Sequence, residues 1–196
     1  MSISLGFAMC GSFCTYEAVF QALTDLKERY PNITPILSEA SGSTDTRFGS
    51  AAEWKARLSA ICGSPILQSI AGVEPIGPKK LLDVLVVAPC TGNTLAKLAA
   101  GITDSCVTMA CKAHLRNGRP LVLAISSNDA LGAGAKNLGE LLVRRNVYFV
   151  PFRQDDPTGK PNSLVADFKQ IGMTAEAARA GTQLQPVLLA PLEGER

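Results

Sequence analysis

Residues 86–105 read VVAPCTGNTLAKLAAGITDS. The apolar run that leads into them, LLDVLVVAP at 81–89, is nearly unbroken, the pattern of a strand buried on both faces of a sheet. It stops at Pro89 and Cys90, and hydroxyls and an amide follow at Thr91, Asn93 and Thr94. Apolar and small residues then predict a helix over 93–101, starting at Asn93 or Thr94, and a second over 105–116. The three polar side chains offer neutral donors and acceptors, suited to the rim of a polar heterocycle or to a sugar-like chain. Nothing among them titrates near neutrality, so they make a poor acid–base site.

Working outward, strands are predicted at 3–8, 33–39, 119–126 and 147–152, the last being the final core strand. Helices are predicted at 13–29, 51–62 with a glycine stop at Gly63, and 135–145. Residues 64–80 are broken by Gly and Pro and predict a short strand and a turn or short helix. The stretch 40–50 reads as an irregular loop rich in hydroxyls. Ser163 is expected to cap a last helix whose Leu164, Phe168 and Ile171 share a face. The tail that follows is expected to pack on the domain or on another subunit. Buried strands alternating with helices predict an α/β fold in three layers, a mostly parallel sheet with helices on both faces. No linker interrupts the 196 residues, so 1–196 reads as one domain, with the C-terminal helix and tail at about 163–196.

Composition narrows the function. The formal charge is +2 and the basic residues are scattered, which argues against a nucleic-acid partner. No apolar stretch reaches the roughly 20 residues of a membrane span. The N-terminal stretch lacks the positive region of a signal peptide, and a cytoplasmic location is expected. Six cysteines occur without a Cys-x-x-Cys pair and with one histidine, His114. They read as reduced, mostly buried small hydrophobes, with no metal expected. His114 reads as a surface or packing residue.

In a parallel α/β sheet, ligands lie beyond the carboxyl ends of the strands. The first end carries Gly11 and Ser12, a tight turn and a hydroxyl before a helix. That pattern suits a phosphate, and equally a plain capped helix. It is neither a Walker loop nor Gly-x-Gly-x-x-Gly. The second end carries Ser38, with Ser41, Ser43 and Thr44 behind it. The third is the quoted stretch. The fourth offers Ser126, Ser127, Asn128 and Asp129, where the aspartate reads either as a general acid/base or as an exposed loop carboxylate.

These four ends together resemble the homo-oligomeric flavin-containing decarboxylase-like superfamily, which has a Rossmann-like flavoprotein fold. The likeness rests on GFAMCGS, on Ser38, and above all on APCTGNTLAKLAAGITDS, with Pro89, Asn93, Thr94, Leu95, Ala96, Lys97, Gly101 and Asp104 in the family's pattern. It implies FMN as cofactor. By this resemblance Gly11 and Ser12 help hold the phosphate. Ser38 and the run Pro89, Cys90, Thr91, Asn93 and Thr94 meet the ribityl chain, phosphate or ring edge, with Ser126 and Asn128 at the fourth strand end. The decarboxylase branch uses a histidine after the second strand, and residues 39–80 contain none.

GFAMCGSFCTY, SGSTDTRFG, PLVLAISSNDALGAGAKNLGELL and VYFVPFRQDDPTGKPNSLVADF extend the likeness over nearly the whole chain. With them the sequence is similar to the B-subunit family of dipicolinate synthases, from spore-forming bacteria. That resemblance implies an oxidoreductase subunit acting in sporulation with a dipicolinate synthase A subunit that carries NAD(P). The substrate would be a small-molecule pyridine dicarboxylate precursor. It further implies a homo-oligomer, a trimer or a multiple of one. No catalytic residue is singled out. A flavin-dependent lyase and a non-catalytic flavin-binding assembly subunit remain the alternatives.

Overall fold

A computed structural model of the chain describes residues 3–190. The elements run β1 (Ser4–Met9), α1 (Tyr16–Arg29), β2 (Asn32–Leu37), α2 (Glu39–Ser43), α3 (Ala51–Cys62), α4 (Ile70–Val73) and β3 (Val84–Cys90). There follow α5 (Gly92–Ala99), α6 (Cys106–Leu115), β4 (Leu121–Ser127), α7 (Ala135–Leu142), β5 (Val147–Phe149), β6 (Phe152–Arg153), β7 (Leu164–Ala166) and α8 (Ile171–Arg179). A 3₁₀ turn, Phe13–Thr15, leads into α1, and another, Phe168–Gln170, leads into α8.

The sheet has the order β2-β1-β3-β4-β7-β6, with β5 also paired to β4. Strands β1 to β5 are parallel, whereas β7 runs antiparallel to both β4 and β6. The outer edge of β4 is therefore shared. Leu121–Leu123 pair with β5, and Ser126 and Ser127 pair with β7. Every residue of β3 is buried, as its unbroken apolar sequence requires. Helices α1 and α8 pack together on one face, and α5, α6 and α7 pack on the other. The two faces form one apolar core in which Leu5, Phe7, Val86, Leu123 and Ile171 are fully buried, each worth roughly 1.5–3 kcal/mol of transfer free energy.

Three expectations need correction. The stretch 40–50 is not wholly irregular. The Ser38 hydroxyl accepts the Ser41 N–H and nucleates the single turn of α2. The predicted strand 147–152 is two strands, because the chain leaves the parallel register after Phe149 and Pro151 separates β5 from β6. Ser163 caps no helix. Leu164–Ala166 extend as β7, and the last helix begins at Ile171, after Asp167 caps the 3₁₀ turn. The tail does pack on the body: Phe152 N–H donates to the Val187 carbonyl (3.0 Å), and Leu189 N–H donates to the Phe152 carbonyl (2.9 Å). The end of the expected tail, residues 191–196, lies outside the described residues. No helix among the described residues is long and apolar enough to cross a membrane.

Candidate functional site

Register brings the carboxyl ends of the strands level. Met9 stands opposite Leu37, Ala8 opposite Val87, and Cys90 opposite Ile125. The Ala88–Pro89 peptide is cis, and the β3–β4 register shifts between Val87 and Cys90. Beyond these ends lies a cleft of about 490 Å³. Gly11 comes to it from β1, Ser38 from β2, and Thr91, Asn93 and Thr94 from β3. Three of the four strand ends therefore meet in one place.

Local structure fixes each group. Thr91 is the N-cap of α5, and its hydroxyl accepts the Thr94 N–H at 3.3 Å. The helix thus starts at Gly92, earlier than the expected Asn93 or Thr94. The Gly92 and Asn93 N–H groups have no intrahelical acceptor and remain available at the cleft, whereas the Thr94 N–H is held by the Thr91 hydroxyl. Thr91 also donates to the Thr94 hydroxyl (3.1 Å), which in turn donates to Cys10 Sγ (3.2 Å). Ser38 exchanges a hydrogen bond with Ser41 (2.8 Å), which anchors α2 back on Met9 through a 3.4 Å bond to its carbonyl. Asn93 is exposed and its side-chain amide has no partner among the described residues.

The remaining predicted residues are placed differently. Ser12 and Ser126 share a 2.8 Å hydroxyl–hydroxyl hydrogen bond that ties the fourth strand end to the first turn, outside the cleft lining. Pro89 and Cys90 belong to β3 and are buried, so they support the cleft from beneath. Asn128 is exposed and accepts from Ser163 at 3.5 Å, toward the polar 154–162 loop.

The cleft is not wholly neutral. Glu39, Lys97, Asp104 and Ser105 line it and were not among the predicted site residues. Lys97 Nζ holds both Asp104 oxygens, at 2.8 and 2.9 Å, and these bonds keep the aspartate carboxyl below its usual range. Seven positions separate the pair, about two helical turns. Because α5 ends at Ala99, only the chain reversal at Gly101, with φ of 71°, brings Asp104 back. The residue types were visible in the sequence, but the return path was not.

Burial pushes the Cys10 thiol up to about 11, against the smaller opposing effect of its hydrogen bond from Thr94. Cys90, Cys106 and Cys111 are likewise raised, first by burial. Protonated thiols beneath the cleft are neutral packing groups, not nucleophiles. His114 is 1 % exposed, and its Nε2 lies 2.9 Å from the Pro120 carbonyl, away from the cleft. The arrangement therefore binds and orients. Hydroxyls, a free amide and the Gly92 and Asn93 N–H groups suit the phosphate and polyol of a nucleotide, and two of the three charged groups in the lining, Lys97 and Asp104, are paired with each other. That donor set fits a flavin mononucleotide.

The flavoprotein family model matches residues 2–161. The chain is 46% identical to the B subunit of the Bacillus subtilis dipicolinate synthase over 190 residues, 97% of this chain and 95% of that one. It superposes on the crystal structure of the B subunit of the Bacillus halodurans dipicolinate synthase with a TM-score of 0.89 at 44% identity, covering 98% of this chain and 100% of that one. A dodecameric FMN-dependent Ubix-like decarboxylase from Escherichia coli O157:H7 matches at 25% identity and a TM-score of 0.57, over 76% of this chain and 80% of that one.

Proposed function

The chain belongs to the flavoprotein family, and from that premise we propose that it is the FMN-binding B subunit of a dipicolinate synthase. It works with an A subunit that carries NAD(P), as part of sporulation. The convergence of Gly11, Ser38, Thr91, Asn93 and Thr94 on one cleft is the observation that supports it most directly. The reaction removes a hydride and a proton from a dihydropyridine dicarboxylate. The hydride passes to the oxidised NAD(P), the proton passes to solvent, and the ring becomes aromatic. FMN bound in the cleft would supply a two-electron acceptor between them.

The residues of this chain bind and position. The Gly92 and Asn93 N–H groups of α5 and the Ser38 hydroxyl hold phosphate and polyol oxygens, and the Asn93 amide grips the ring edge or ribityl chain. The Lys97–Asp104 pair walls the cleft and keeps two opposite charges fixed at its rim. The protein assembles as a homo-oligomer. A lyase of the decarboxylase type finds no histidine at this cleft, because His114 is buried against Pro120.

Titration of the purified chain with FMN, read by flavin fluorescence, tests the binding. Asn93→Ala is expected to weaken it roughly five- to tenfold, the scale of one lost hydrogen bond to a polar ligand. Reconstitution with the A subunit tests the role. Oxidation of precursor by the A subunit alone at the full rate would overturn it.

A further inference from the structure

Beside the cleft, a second concavity of about 360 Å³ opens between α5, α6 and α7. The two hollows have no lining residue in common, yet they share a wall. Lys97 and Asp104 line the cleft, and their chain neighbours Leu98 and Thr103 line the concavity. Its floor is apolar, formed by Leu98, Leu115, Leu121 and Leu141. Lys112 and Arg116, one turn apart at the end of α6, stand on one wall, and Arg144 and Arg145, just past α7, stand on the other. No carboxylate lines it. Arg144 donates to the Leu98 carbonyl at 2.7 Å. Lys112, Arg116 and Arg145 are exposed and have no hydrogen-bond or ion-pair partner among the described residues. The C-terminal ends of the three helices offset roughly half a charge each, which leaves a positive excess on the four side chains.

The pattern is an apolar centre between two cationic walls. An inorganic anion would meet the cations and leave the leucines in water. A fatty carboxylate would cover the leucines and satisfy one wall only. Two copies of the chain meeting here about a twofold axis would set cation against cation. A flat ring with a carboxylate on either side answers both features, its ring on the leucines and one carboxylate on each wall. The product of the reaction proposed above is such a molecule, a pyridine ring between two carboxylates. Resting on that reading, we propose that this concavity is a second small-molecule site, which binds the aromatic dicarboxylate product beside the FMN cleft and not within it. Because the linings are distinct, the two sites fill independently, and product held here lies clear of the flavin.

The test is calorimetric titration of the full-length chain, with a chelator present, using dipicolinate and its benzene counterpart isophthalate. Both are expected to bind with the same affinity whether or not FMN is loaded. Benzoate, one carboxylate short, is expected to bind at least about tenfold more weakly. The triple variant Lys112→Gln/Arg116→Gln/Arg145→Gln is expected to lose at least about tenfold in affinity for both dicarboxylates, with FMN uptake unchanged. Arg145→Gln alone removes the unengaged cation of one wall. It is expected to bring the dicarboxylates down to the level of benzoate, and it serves if the triple variant folds poorly. Parental dicarboxylate affinity in both variants overturns the site, as does displacement of the dicarboxylate by FMN, which would put it in the cleft. A drop in the variants' oligomer mass with dicarboxylate affinity intact also overturns it and makes this face a contact between copies of the chain. Absence of dicarboxylate binding beside intact FMN uptake removes this site alone. Failure of FMN uptake and of reconstitution with the A subunit, with dicarboxylates still bound here, removes the functional reading and keeps the site.

Discussion

A Cβ on Gly92 would stand 2.6 Å from the Ser127 hydroxyl, so the first residue of α5 has no room for a side chain while β4 ends where it does. The hydroxyl is not idle, since it accepts the Asp129 N–H at 3.3 Å. Gly92→Ala should therefore displace it and destabilise the protein by about 1–2 kcal/mol. In a Ser127→Ala background the same change should cost much less, because the Ser127 Cβ lies at an ordinary 3.5 Å. Urea midpoints of the four proteins in that cycle measure the coupling, and strict additivity would refute the contact. His114 makes a pH prediction. Burial above all holds its pKa down at about 4, against the bond to the Pro120 carbonyl. The unfolded chain, with a histidine pKa near 6.5, binds the extra proton first. Stability is thus fully present above about pH 6.5 and falls as the pH drops toward 4. Roughly 2 kcal/mol should be lost by pH 5, and His114→Gln should remove that part of the slope in pH-dependent denaturation. At this scale the sequence marked the neutral polar groups at the first three strand ends, but not the charged Glu39, Lys97 and Asp104 that line the same cleft. It could not show that the Thr94 hydroxyl is already engaged by Cys10, or that Asn128 faces Ser163, because both depend on partners 84 and 35 positions away.

Helix α3 shows what local code can specify. The Ser50 hydroxyl accepts the Glu53 N–H while the Glu53 carboxylate accepts the Ser50 N–H, a reciprocal cap, and apolar Ala51, Trp54, Leu58 and Cys62 face inward at helical spacing. Ser50→Ala should cost about 1 kcal/mol in thermal or urea unfolding and leave FMN binding unaltered. Unbroken apolar strands and capped helices of this kind made β1, β2, β3 and β4 and most of their crossovers readable. What escaped was decided elsewhere in the chain. Leu164, Val165 and Ala166 carry no alternation to mark a strand. They extend because Ser126 and Ser127 of β4 and Phe152 and Arg153 of β6 offer open backbone partners on either side. The same holds for α2, five residues with glycine and serine, too weak to form without the Ser38 cap and the Ser41 anchor on Met9. Elements shorter than two turns or four residues obey tertiary context before propensity.

At the scale of the whole molecule, neutral polar groups and cations gather in two different places around the sheet. The carboxyl ends of the strands gather polar groups that suit a nucleotide, and between α5, α6 and α7 Lys112, Arg116, Arg144 and Arg145 surround a floor of leucines. The cysteines follow the same layout, with consequences for handling the protein. Five of the six are buried, and only Cys14, two residues beyond Ser12 at the cleft's first turn, is exposed. A maleimide offered to the native chain should therefore modify Cys14 alone, and all six thiols only after denaturation, as intact-mass spectrometry would count. Labelling of a second cysteine under native conditions would contradict the packing described. Without any engineering, the protein thus offers a single handle for a fluorescent or spin probe beside the cleft, able to report cofactor loading, while the shielded thiols serve as an internal clock for its opening.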